Sequence, residues 1–381
     1  MICSSISFCN YRNISLETVS FSDGVNVLFG DNAQGKSNIL EGIYFFARGR
    51  SFRGAREREM IRFGEKQAQM SLTFQMDGAQ HPVTLEADLP HTGKKVLRRG
   101  GARLSGVREM IGSFRAVLFC PLHLSLVGGG PALRRSFLDI ALSQLYPAYL
   151  DSLSRYNRIL AQRNALIKSG AIGDMAVWEV YARQLAQLGA DIAVRRFTYM
   201  RSLEKYVADI FAGMTAGQEV PRLTYQSGAL SEDAADAAEI RSAGEERLFA
   251  ALTGSIEREI RYGATLYGIH KDDISIRLNE REARSYASQG QQRSLALAMK
   301  LAEGEMAKTV GGEYPVFLLD DVLSELDAQR REFILRSLTG RQIIVTSCEP
   351  AYFDTGTADA VRMLHVQDGK ILSPENGRTY I

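Results

Sequence analysis

One segment limits the possible folds of this chain more than any other. Residues 30–37 read GDNAQGKS and match the pattern GxxxxGK[ST] without a gap. An apolar run at residues 25–29 precedes the segment and predicts a buried strand, and apolar residues at three- and four-residue spacing follow it and predict a helix. A strand, a glycine-rich loop and a helix in this order indicate a phosphate-binding loop, the alternative being a turn that only caps a helix.

Each type of residue in the predicted phosphate loop has an expected role in binding a nucleotide. Glycines let the backbone turn its N–H groups inward, Lys36 reaches the β and γ oxygens of a nucleotide, and Ser37 offers its hydroxyl to Mg²⁺. The residues expected to bind the nucleotide in this loop are Gly30, Asp31, Asn32, Ala33, Gln34, Gly35, Lys36, Ser37 and Asn38. ATP with Mg²⁺ is therefore the expected cofactor.

Length and charge narrow the class of protein. The 381 residues exceed one average domain, which favours either a large core with an insertion or two domains. A net charge of +2 gives no global attraction for a polyanion, so any nucleic-acid surface must be a local patch. The four cysteines are scattered without zinc-type spacing, and no apolar stretch reaches bilayer length, so we expect a cytoplasmic protein with no membrane partner.

The order of sequence patterns predicts an α/β fold with an antiparallel subdomain and an inserted helical hairpin. Strands are predicted at residues 2–8, 15–20, 25–29, 70–75, 83–87, 95–99, 264–268, 274–278, 316–319 and 343–346. Helical periodicity begins at Pro131, continues to about residue 214, and is divided near residues 169–173. Residues 231–246 indicate a surface loop or a loosely held helix. The predicted domains are residues 1–130, 131–245 and 246–381.

A second motif lies where the apolar strand at residues 316–319 ends in two acids. Alone, two aspartates at a strand end are typical of a solvated turn. Together with a phosphate loop they predict that Asp320 holds Mg²⁺ and that Asp321 orients or deprotonates the attacking water. Most transporter-like ATPases have glutamate at the second position, and the shorter aspartate here predicts a more loosely held water and slower hydrolysis.

A third motif is Ser288-Gln289-Gly290-Gln291-Gln292, which opens a predicted helix. Ser288 and Gln291 are spaced as in a capping box, which would satisfy helix N–H groups and do no chemistry. The same geometry offers a hydroxyl, the Gly290 amide and a dipole end to an anion from outside. The two interpretations are compatible.

The three motifs in this order resemble the nucleotide-binding core of ABC-type ATPases and of the structural-maintenance-of-chromosomes ATPases. The residues of these motifs and of several further blocks are more closely similar to those of the RecF family of DNA repair proteins. The residues that carry this resemblance are GDNAQGKSN at 30–38, GRSFR at 49–53, RRSFLD at 134–139, QRN at 162–164, ASQGQQR at 287–293 and LDDVLSELD at 319–327. These blocks span nearly the whole chain in the order that the family shows.

The resemblance implies an ABC-type ATPase head and an ATP-dependent homodimer. Two nucleotides would lie between two copies, with Lys36 and Asp321 of one copy and Ser288 of the other as catalytic residues. Gly290 and Gln291 would accompany Ser288, and Asp327 would belong to a loop that crosses between the subunits. The alternative role of Asp327 is that of a helix cap. Arg12 and Asn13 lie where such ATPases support the adenine.

The resemblance also implies the task of the ATP. The dimer would clamp double-stranded DNA near single-strand gaps, act with a RecR-like partner to promote RecA loading in recombinational repair and replication restart, and be reset by weak, DNA-dependent ATP hydrolysis. The densest basic run, with Arg48, Arg50, Arg53 and Arg56, is the predicted DNA surface, and a solvated charged face is its alternative. Lys94, Lys95, Arg98 and Arg99 form a weaker second patch.

The sequence departs from the family patterns at two positions, and its motifs are compatible with two other functions. Residues 346–350 lack the histidine that many ABC proteins use to sense the γ-phosphate, so Thr346 or Ser347 would take over that task. Lys271 stands where the family usually has arginine. The three motifs alone would also permit the ATP-hydrolysing subunit of a membrane transporter, or a nuclease coupled to an ATPase core.

Overall fold

The computed structural model describes residues 1–170, 174–230, 237–349 and 361–372. They divide into two compact units. The first unit comprises Met1–Leu124 and Lys300–Ile381, and the second comprises Ser125–Met299. The beginning of the predicted loop at 231–246 lies outside the described residues.

Nine of the fifteen strands in the described residues coincide with segments predicted from the sequence. The strands are β1 Ile2–Tyr11, β2 Ile14–Ser20, β3 Val25–Phe29, β4 Gln67–Gln75, β5 Val83–Pro90, β6 Val96–Arg99, β7 Ala102–Arg103, β8 Ala116–Phe119, β9 Pro221–Gln226, β10 Asp273–Leu278, β11 Arg281–Glu282, β12 Val316–Asp320, β13 Ile343–Ser347, β14 Arg362–Gln367 and β15 Lys370–Leu372. The helices are α1 Lys36–Arg48, α2 Val107–Met110, α3 Pro131–Leu145, α4 Pro147–Ser169, α5 Met175–Thr215, α6 Ala237–Thr253, α7 Ile256–Tyr262, α8 Ala283–Tyr286, α9 Gln289–Gly311 and α10 Ala328–Ser337.

A mixed sheet forms one layer of the first unit, in the order β15-β14-β3-β13-β12-β8. Its strands run parallel except β15, which is antiparallel to β14. Every residue of β12 and β13 is buried, which explains their uninterrupted apolar runs. Because β3, β12 and β13 are parallel, the loops that follow them emerge at the same sheet edge. The fold therefore brings the glycine-rich loop and the paired aspartates to one place.

An antiparallel sheet forms the other layer, in the order β2-β1-β4-β5-β6-β7. Alternating burial along β4 shows that one face is covered and the other solvated. Helix α1 contacts β4 of this sheet and β8, β12 and β13 of the mixed sheet, and most of its residues are buried. A Cβ on Gly42 of α1 would overlap the Phe8 ring, so a glycine is required for this close approach. The α/β class with an antiparallel subdomain is confirmed.

The second unit contains the predicted helical hairpin. Helices α4 and α5 pack against each other, and the three-stranded sheet β11-β10-β9 accompanies them. The unit continues to Met299 because β10 pairs with β9 and α6 packs against α5. It thus contains the predicted insertion at 131–245 and also residues 246–299. No helix among the described residues is long and apolar enough to span a bilayer.

One predicted strand, at residues 264–268, is wrong. The segment is irregular, and side chains rather than a neighbouring strand satisfy its backbone. The Thr265 N–H donates to Asn164 at 2.9 Å, and the Leu266 N–H donates to Glu259 at 2.7 Å. Strands β7, β8, β9, β11, β14 and β15 were not predicted from the sequence, although the burial of β9 alternates strictly.

Candidate functional site

A cavity of about 200 Å³ lies at the edge of the mixed sheet where β3, β12 and β13 end. Its lining consists of Asn32, Ala33, Gln34, Gly35, Lys36, Ser37, Asn38, Arg53, Asp321 and Thr346. Seven of these ten belong to the predicted phosphate loop and the first turn of α1. The cavity also adds two residues, Arg53 and Thr346, from other parts of the first unit.

The loop holds a backbone shape that needs glycine at two positions. Gly30 has a φ of 143° and Gly35 a φ of 110°, both in the region that disfavours side chains. A Cβ on Gly30 would overlap the Val366 carbonyl oxygen, and one on Gly35 would come within 2.9 Å of the Asn13 amide. The loop is therefore wedged between the start of α1 and neighbouring strands, with its N–H groups at the helix N-terminus.

Lys36 is drawn into the loop. Its side chain is buried, and Nζ donates to the carbonyl oxygens of Gly30 at 2.6 Å and Asp31 at 2.7 Å. Its third contact is the Cys348 sulfur at 3.4 Å, and Cys348 also donates to Asn32. The ammonium is thus held at the floor of the cavity by neutral acceptors, which leaves its charge available to an anion.

Two contacts brace the loop from outside. The Asn13 amide donates to the Gln34 carbonyl at 3.1 Å and accepts from Asn38 at 2.8 Å. The turn between β14 and β15 supplies the Asp368 N–H to Gln34 Oε1 at 2.7 Å and the Gly369 N–H to the Gln34 carbonyl at 2.9 Å. Asn13 therefore fixes the loop, and its expected contact with adenine stays a prediction.

Arg12 lies in a buried network next to the cavity. Its Nε and Nη2 donate to both oxygens of Glu41 on α1, at 2.9 and 2.8 Å. Tyr11 and Ser51 also donate to Glu41, which is fully buried. Burial raises the pKa of Glu41, but the hydrogen bonds of Arg12 and Ser51 and the Arg12 charge outweigh it and lower the pKa overall. The predicted adenine role of Arg12 likewise stays a prediction.

Asp320 ends β12 beside the loop and is buried. It accepts hydrogen bonds from the hydroxyls of Ser37 and Thr346, the latter at 3.1 Å. Burial raises the pKa of Asp320, and the Ser37 hydrogen bond, the Arg53 charge and the Thr346 hydrogen bond only partly oppose this. A desolvated carboxylate next to a serine hydroxyl is a site that a cation would stabilise.

Asp321 points into the cavity with a left-handed backbone, at a φ of 51°. Aspartate is among the few residues that adopt this conformation readily. The Asp321 N–H donates to the Thr346 hydroxyl at 2.9 Å, and the Ser324 hydroxyl donates to the Asp321 carbonyl at 2.8 Å. Thr346, itself buried, therefore connects Asp320 to the backbone of Asp321 and fixes the relation of the two acids.

Thr346 and Ser347, which end β13, were expected to take over the task of the missing histidine. The Thr346 hydroxyl donates to Asp320, and the Ser347 hydroxyl donates to the Glu349 carbonyl at 2.9 Å. The single hydroxyl proton of each is thus already used within the fold. Cys348 takes the position next to Lys36, and residue 350 lies outside the described part.

The four predicted DNA-binding arginines do not share one environment. Helix α1 ends at Arg48, and the left-handed φ of 75° at the following Gly49 turns the chain back along the helix. This reversal carries Arg53 into the cavity, where it donates to Asn38 at 2.9 Å. Arg48 is half-buried, and burial lowers its pKa, whereas Arg50, Arg53 and Arg56 are exposed, Arg53 at the mouth of the cavity.

The third motif lies in the second unit. Ser288 and Gln291 form the capping box: the Ser288 N–H donates to Gln291 Oε1 at 2.7 Å, and the Gln291 N–H donates to Ser288 Oγ at 3.2 Å. Ser288 is exposed, and the Gly290 carbonyl accepts from Ser294. In the first unit, Asp327 caps α10 by accepting from the Arg330 N–H at 2.9 Å and also pairs with the Arg330 guanidinium. Both helix caps are therefore observed, and the additional roles across subunits stay predictions.

The residues of the cavity fit a magnesium nucleotide. The glycine cradle is closed to any Cβ, a buried ammonium lies at its base, and a hydroxyl and a desolvated carboxylate face each other beside it. These are the donors that phosphate oxygens require and the oxygen ligands that Mg²⁺ prefers. Within the described residues no group of three or more His, Cys, Asp or Glu side chains forms a further metal site.

Sequence reasoning placed Thr346 near the γ-phosphate, but it missed that Arg53 lines the cavity and that Cys348 contacts Lys36. Arg53 was assigned to the DNA surface because a run of arginines is conspicuous in the sequence. The spacing of Gly49 and Ser51 from α1 contained a signal, since a glycine after a helix predicts a reversal of the chain. Contacts such as that of Cys348 with Lys36 depend on strand order and have no local signal.

Comparison with known proteins gave consistent matches over the whole chain. Residues 2–371 match the family model described as the RecF/RecN/SMC N terminal domain. A protein of Halalkalibacterium halodurans, "DNA replication and repair protein RecF", is 36% identical over 364 residues, which cover 95% of this chain and 96% of the relative. A Bacillus cereus protein of the same name is 35% identical over 375 residues, which cover 97% and 98%.

Solved structures match as well. A "recombination mediator protein RecF-ATP in RecFOR pathway" superimposes with a TM-score of 0.88 at 32% identity, and covers 97% of this chain and 96% of that chain. An SMC head bound to the C-terminal winged-helix domain of ScpA has a TM-score of 0.57 at 16% identity, with 98% and 97% covered. The second likeness concerns the fold alone, and it agrees with the ATPase head expected from the motifs.

Proposed function

The chain belongs to the RecF family of DNA replication and repair proteins, within the RecF/RecN/SMC group of ATPases, and we propose that its ATP controls a clamp on double-stranded DNA. ATP joins two copies, the dimer holds duplex DNA beside a single-strand gap, and hydrolysis releases it. The observation that carries this proposal is the cavity in which the phosphate loop meets Asp321, together with the full-length likeness to a RecF structure described with ATP.

The cavity residues divide the work on ATP. Lys36 and the loop N–H groups bind the phosphates, and Ser37 and Asp320 hold Mg²⁺, which neutralises phosphate charge when bound. Asp321 orients or deprotonates the attacking water, and Thr346 keeps its backbone in place. Arg53 faces the same cavity, so its positive charge binds the nucleotide rather than DNA.

The second copy completes the site. Ser288 and the Gly290 amide of one copy face the γ-phosphate held by Lys36 of the other, as the start of α9 presents an exposed hydroxyl and a helix dipole. Asp327 contributes to the loop that crosses between the copies. Binding of ATP is then the switch, and hydrolysis, which is weak and stimulated by DNA, is the reset.

The wider role follows from the family. The clamp acts in recombinational repair and replication restart, in the cytoplasm, with a RecR-like partner that helps to load RecA. The relatives are named as replication and repair proteins, which favours this role over that of a transporter subunit. The three motifs alone would also permit the transporter role, but the helical hairpin of the second unit disfavours it.

One experiment tests the proposal directly. The mass in solution and the affinity for gapped duplex are measured with and without ATP for wild type, Lys36→Ala and Ser288→Arg. We expect an ATP-dependent dimer that binds DNA only for wild type. Lys36→Ala should lose ATP itself, whereas Ser288→Arg should bind ATP as a monomer. If wild type stays monomeric with ATP, or Ser288→Arg dimerises normally, the shared site is wrong.

Arg50 and Arg56, which lie outside the cavity, are expected to differ from Arg53 in their effect on DNA binding. Replacing Arg50 or Arg56 by glutamine should reduce the slope of log affinity against log salt by about 0.9 for each lost phosphate contact, and should leave ATP affinity unchanged. Arg53→Gln should weaken ATP binding in the absence of DNA. The measurements are DNA titrations at several salt concentrations and nucleotide titrations without DNA. Equal salt slopes for wild type and for the Arg50 and Arg56 variants would refute the DNA patch.

Thr346 is expected to affect hydrolysis more than binding. Thr346→Val keeps the shape but removes the hydrogen bonds to the Asp320 carboxylate and the Asp321 N–H. A lost hydrogen bond to a charged group costs about 1.5–3 kcal/mol, or about ten- to hundredfold in the single-turnover rate. Thr346→Ser, which retains the hydroxyl, serves as the control and should recover most of the rate. Wild-type hydrolysis by Thr346→Val would contradict this role.

A further inference from the structure

The side chain of Gln291 at the start of α9 is engaged at both ends. Its Oε1 accepts from the Ser288 N–H at 2.7 Å, and its Nε2 donates to the carboxylate of Glu219. Glu219 is distant in sequence, between the end of α5 and the start of β9. A residue at the base of the helical hairpin thus contacts the motif that presents Ser288, all within the second unit.

We infer that Glu219 is a positioning residue for Ser288. It fixes the orientation of the Gln291 amide, and the amide in turn fixes the hydrogen bonding of Ser288. The inference rests on the proposed function, since it concerns how readily Ser288 engages the ATP of a second copy. Glu219 itself touches neither nucleotide nor metal in this role.

The physical reason is that a glutamine amide has two unlike ends. One end only accepts hydrogen bonds and the other only donates them, whereas an ionised carboxylate only accepts. With Glu219 at one end, the amide must direct Nε2 towards it and Oε1 towards the Ser288 N–H. A flipped amide would set an oxygen against the carboxylate and an NH₂ group against the Ser288 N–H. Both contacts would then be unfavourable.

The fixed amide leaves the Ser288 hydroxyl ready to donate. Ser288 Oγ already accepts from the Gln291 N–H at 3.2 Å, so this lone pair is used inside the capping box. The hydroxyl proton is then free to turn outward, and Ser288 is exposed. An anion that approaches the start of α9 therefore meets a donor whose geometry is set before it arrives.

Glu219 is itself held by its neighbours. The next residue, Val220, donates its N–H to the Asn279 side chain at 2.8 Å, and its carbonyl accepts from the Asn279 N–H at 3.0 Å. Asn279 lies in the turn that follows β10, and this turn leads through β11 and α8 to Ser288. The carboxylate thus stands on the same rigid sheet from which the motif departs, which suits a residue that orients another.

The test compares three variants by ATP-dependent dimerisation of the full chain. In Glu219→Lys a donor replaces the acceptor, and the protein concentration for half-maximal dimer should rise at least about tenfold. Glu219→Gln can still accept through its carbonyl, so its shift should stay within about threefold. Glu246→Lys, on the exposed surface of α6, makes the same charge change and should match wild type. ATP affinity of the monomer, which depends on Lys36, should be equal in all of them.

A double-variant cycle shows whether the effect passes through Gln291. In a Gln291→Ala background, Glu219→Lys should change the half-maximal concentration less than about twofold. Wild-type dimerisation by Glu219→Lys, a full effect in the Gln291→Ala background, or a Glu246→Lys defect equal to that of Glu219→Lys would overturn the inference. If Ser288→Arg dimerises normally, the proposed shared site itself fails, which distinguishes the two.

Discussion

Asp321→Asn is expected to hydrolyse ATP at least about a hundredfold more slowly than wild type while it binds ATP with unchanged affinity. An amide cannot take the proton that a carboxylate takes from water, and general-base catalysis contributes about 10²–10⁴ in rate. Asparagine, like aspartate, adopts the left-handed conformation that this position requires, so the fold should be unaffected. Single-turnover hydrolysis with prebound ATP measures the effect.

The same variant should hold DNA longer. If hydrolysis resets the clamp, a dimer that keeps its ATP should release gapped duplex more slowly by a factor similar to the loss of hydrolysis. Asp321→Glu is the control that retains a carboxylate and should retain part of the turnover, although glutamate adopts the left-handed backbone less readily than aspartate. An unchanged single-turnover rate in Asp321→Asn would remove the role of this residue. Slow hydrolysis with normal DNA release would instead mean that hydrolysis is not the step that releases DNA.

The parts of the site that could be predicted from sequence are those encoded locally. The phosphate loop, the apolar strand before it and the helix after it form one continuous segment, and β3 has the predicted bounds, 25–29. The paired acids were found for the same reason, since a buried strand that ends in two carboxylates is a local pattern. Parallel strand order then brings the two segments together.

The parts that could not be predicted depend on contacts between distant residues. Arg53 enters the cavity only because the chain reverses at Gly49 and the Ser51 hydroxyl binds Glu41 on α1. Residues 264–268 have an apolar and aromatic composition that suits a strand, but Asn164 and Glu259 satisfy their backbone instead. Helical periodicity located the hairpin, whereas the short strand β9 behind it offered only six residues of alternation.

One of the family-like sequence blocks outside the nucleotide site, at residues 134–139, contributes to ion pairs of the second unit whose arginines are buried. Arg134 pairs with Asp273 at 2.7 Å, and Arg196 pairs with Asp139 at 2.7 Å and with Asp272 at 3.2 Å. Buried ion pairs are weak evidence for stability as such, because desolvation offsets their attraction. Removal of one partner, however, leaves a charge without compensation, so these arginines are expected to tolerate substitution poorly.

Arg163→Met is expected to lower the free energy of unfolding of the second unit by about 3–5 kcal/mol, because it leaves the Glu259 carboxylate buried without its partner. Both side chains are fully buried and their charged atoms lie 2.6 Å apart. The guanidinium also donates to the Thr265 hydroxyl and the Leu252 carbonyl. Urea unfolding followed by fluorescence reports on this unit alone, since Trp178 is the single tryptophan of the chain and is buried within it.

Two further variants separate the buried charge from the loss of packing. Arg163→Met combined with Glu259→Gln removes both charges and should regain at least half of the lost stability. Arg155→Met breaks an exposed pair with Asp151 on the same helix and should cost less than about 1 kcal/mol. Arg163 also lies over the Trp178 ring at 5.4 Å, so the folded baseline must be measured for each variant. A double variant no more stable than Arg163→Met would mean that packing of the guanidinium, rather than the charge of Glu259, sets the cost.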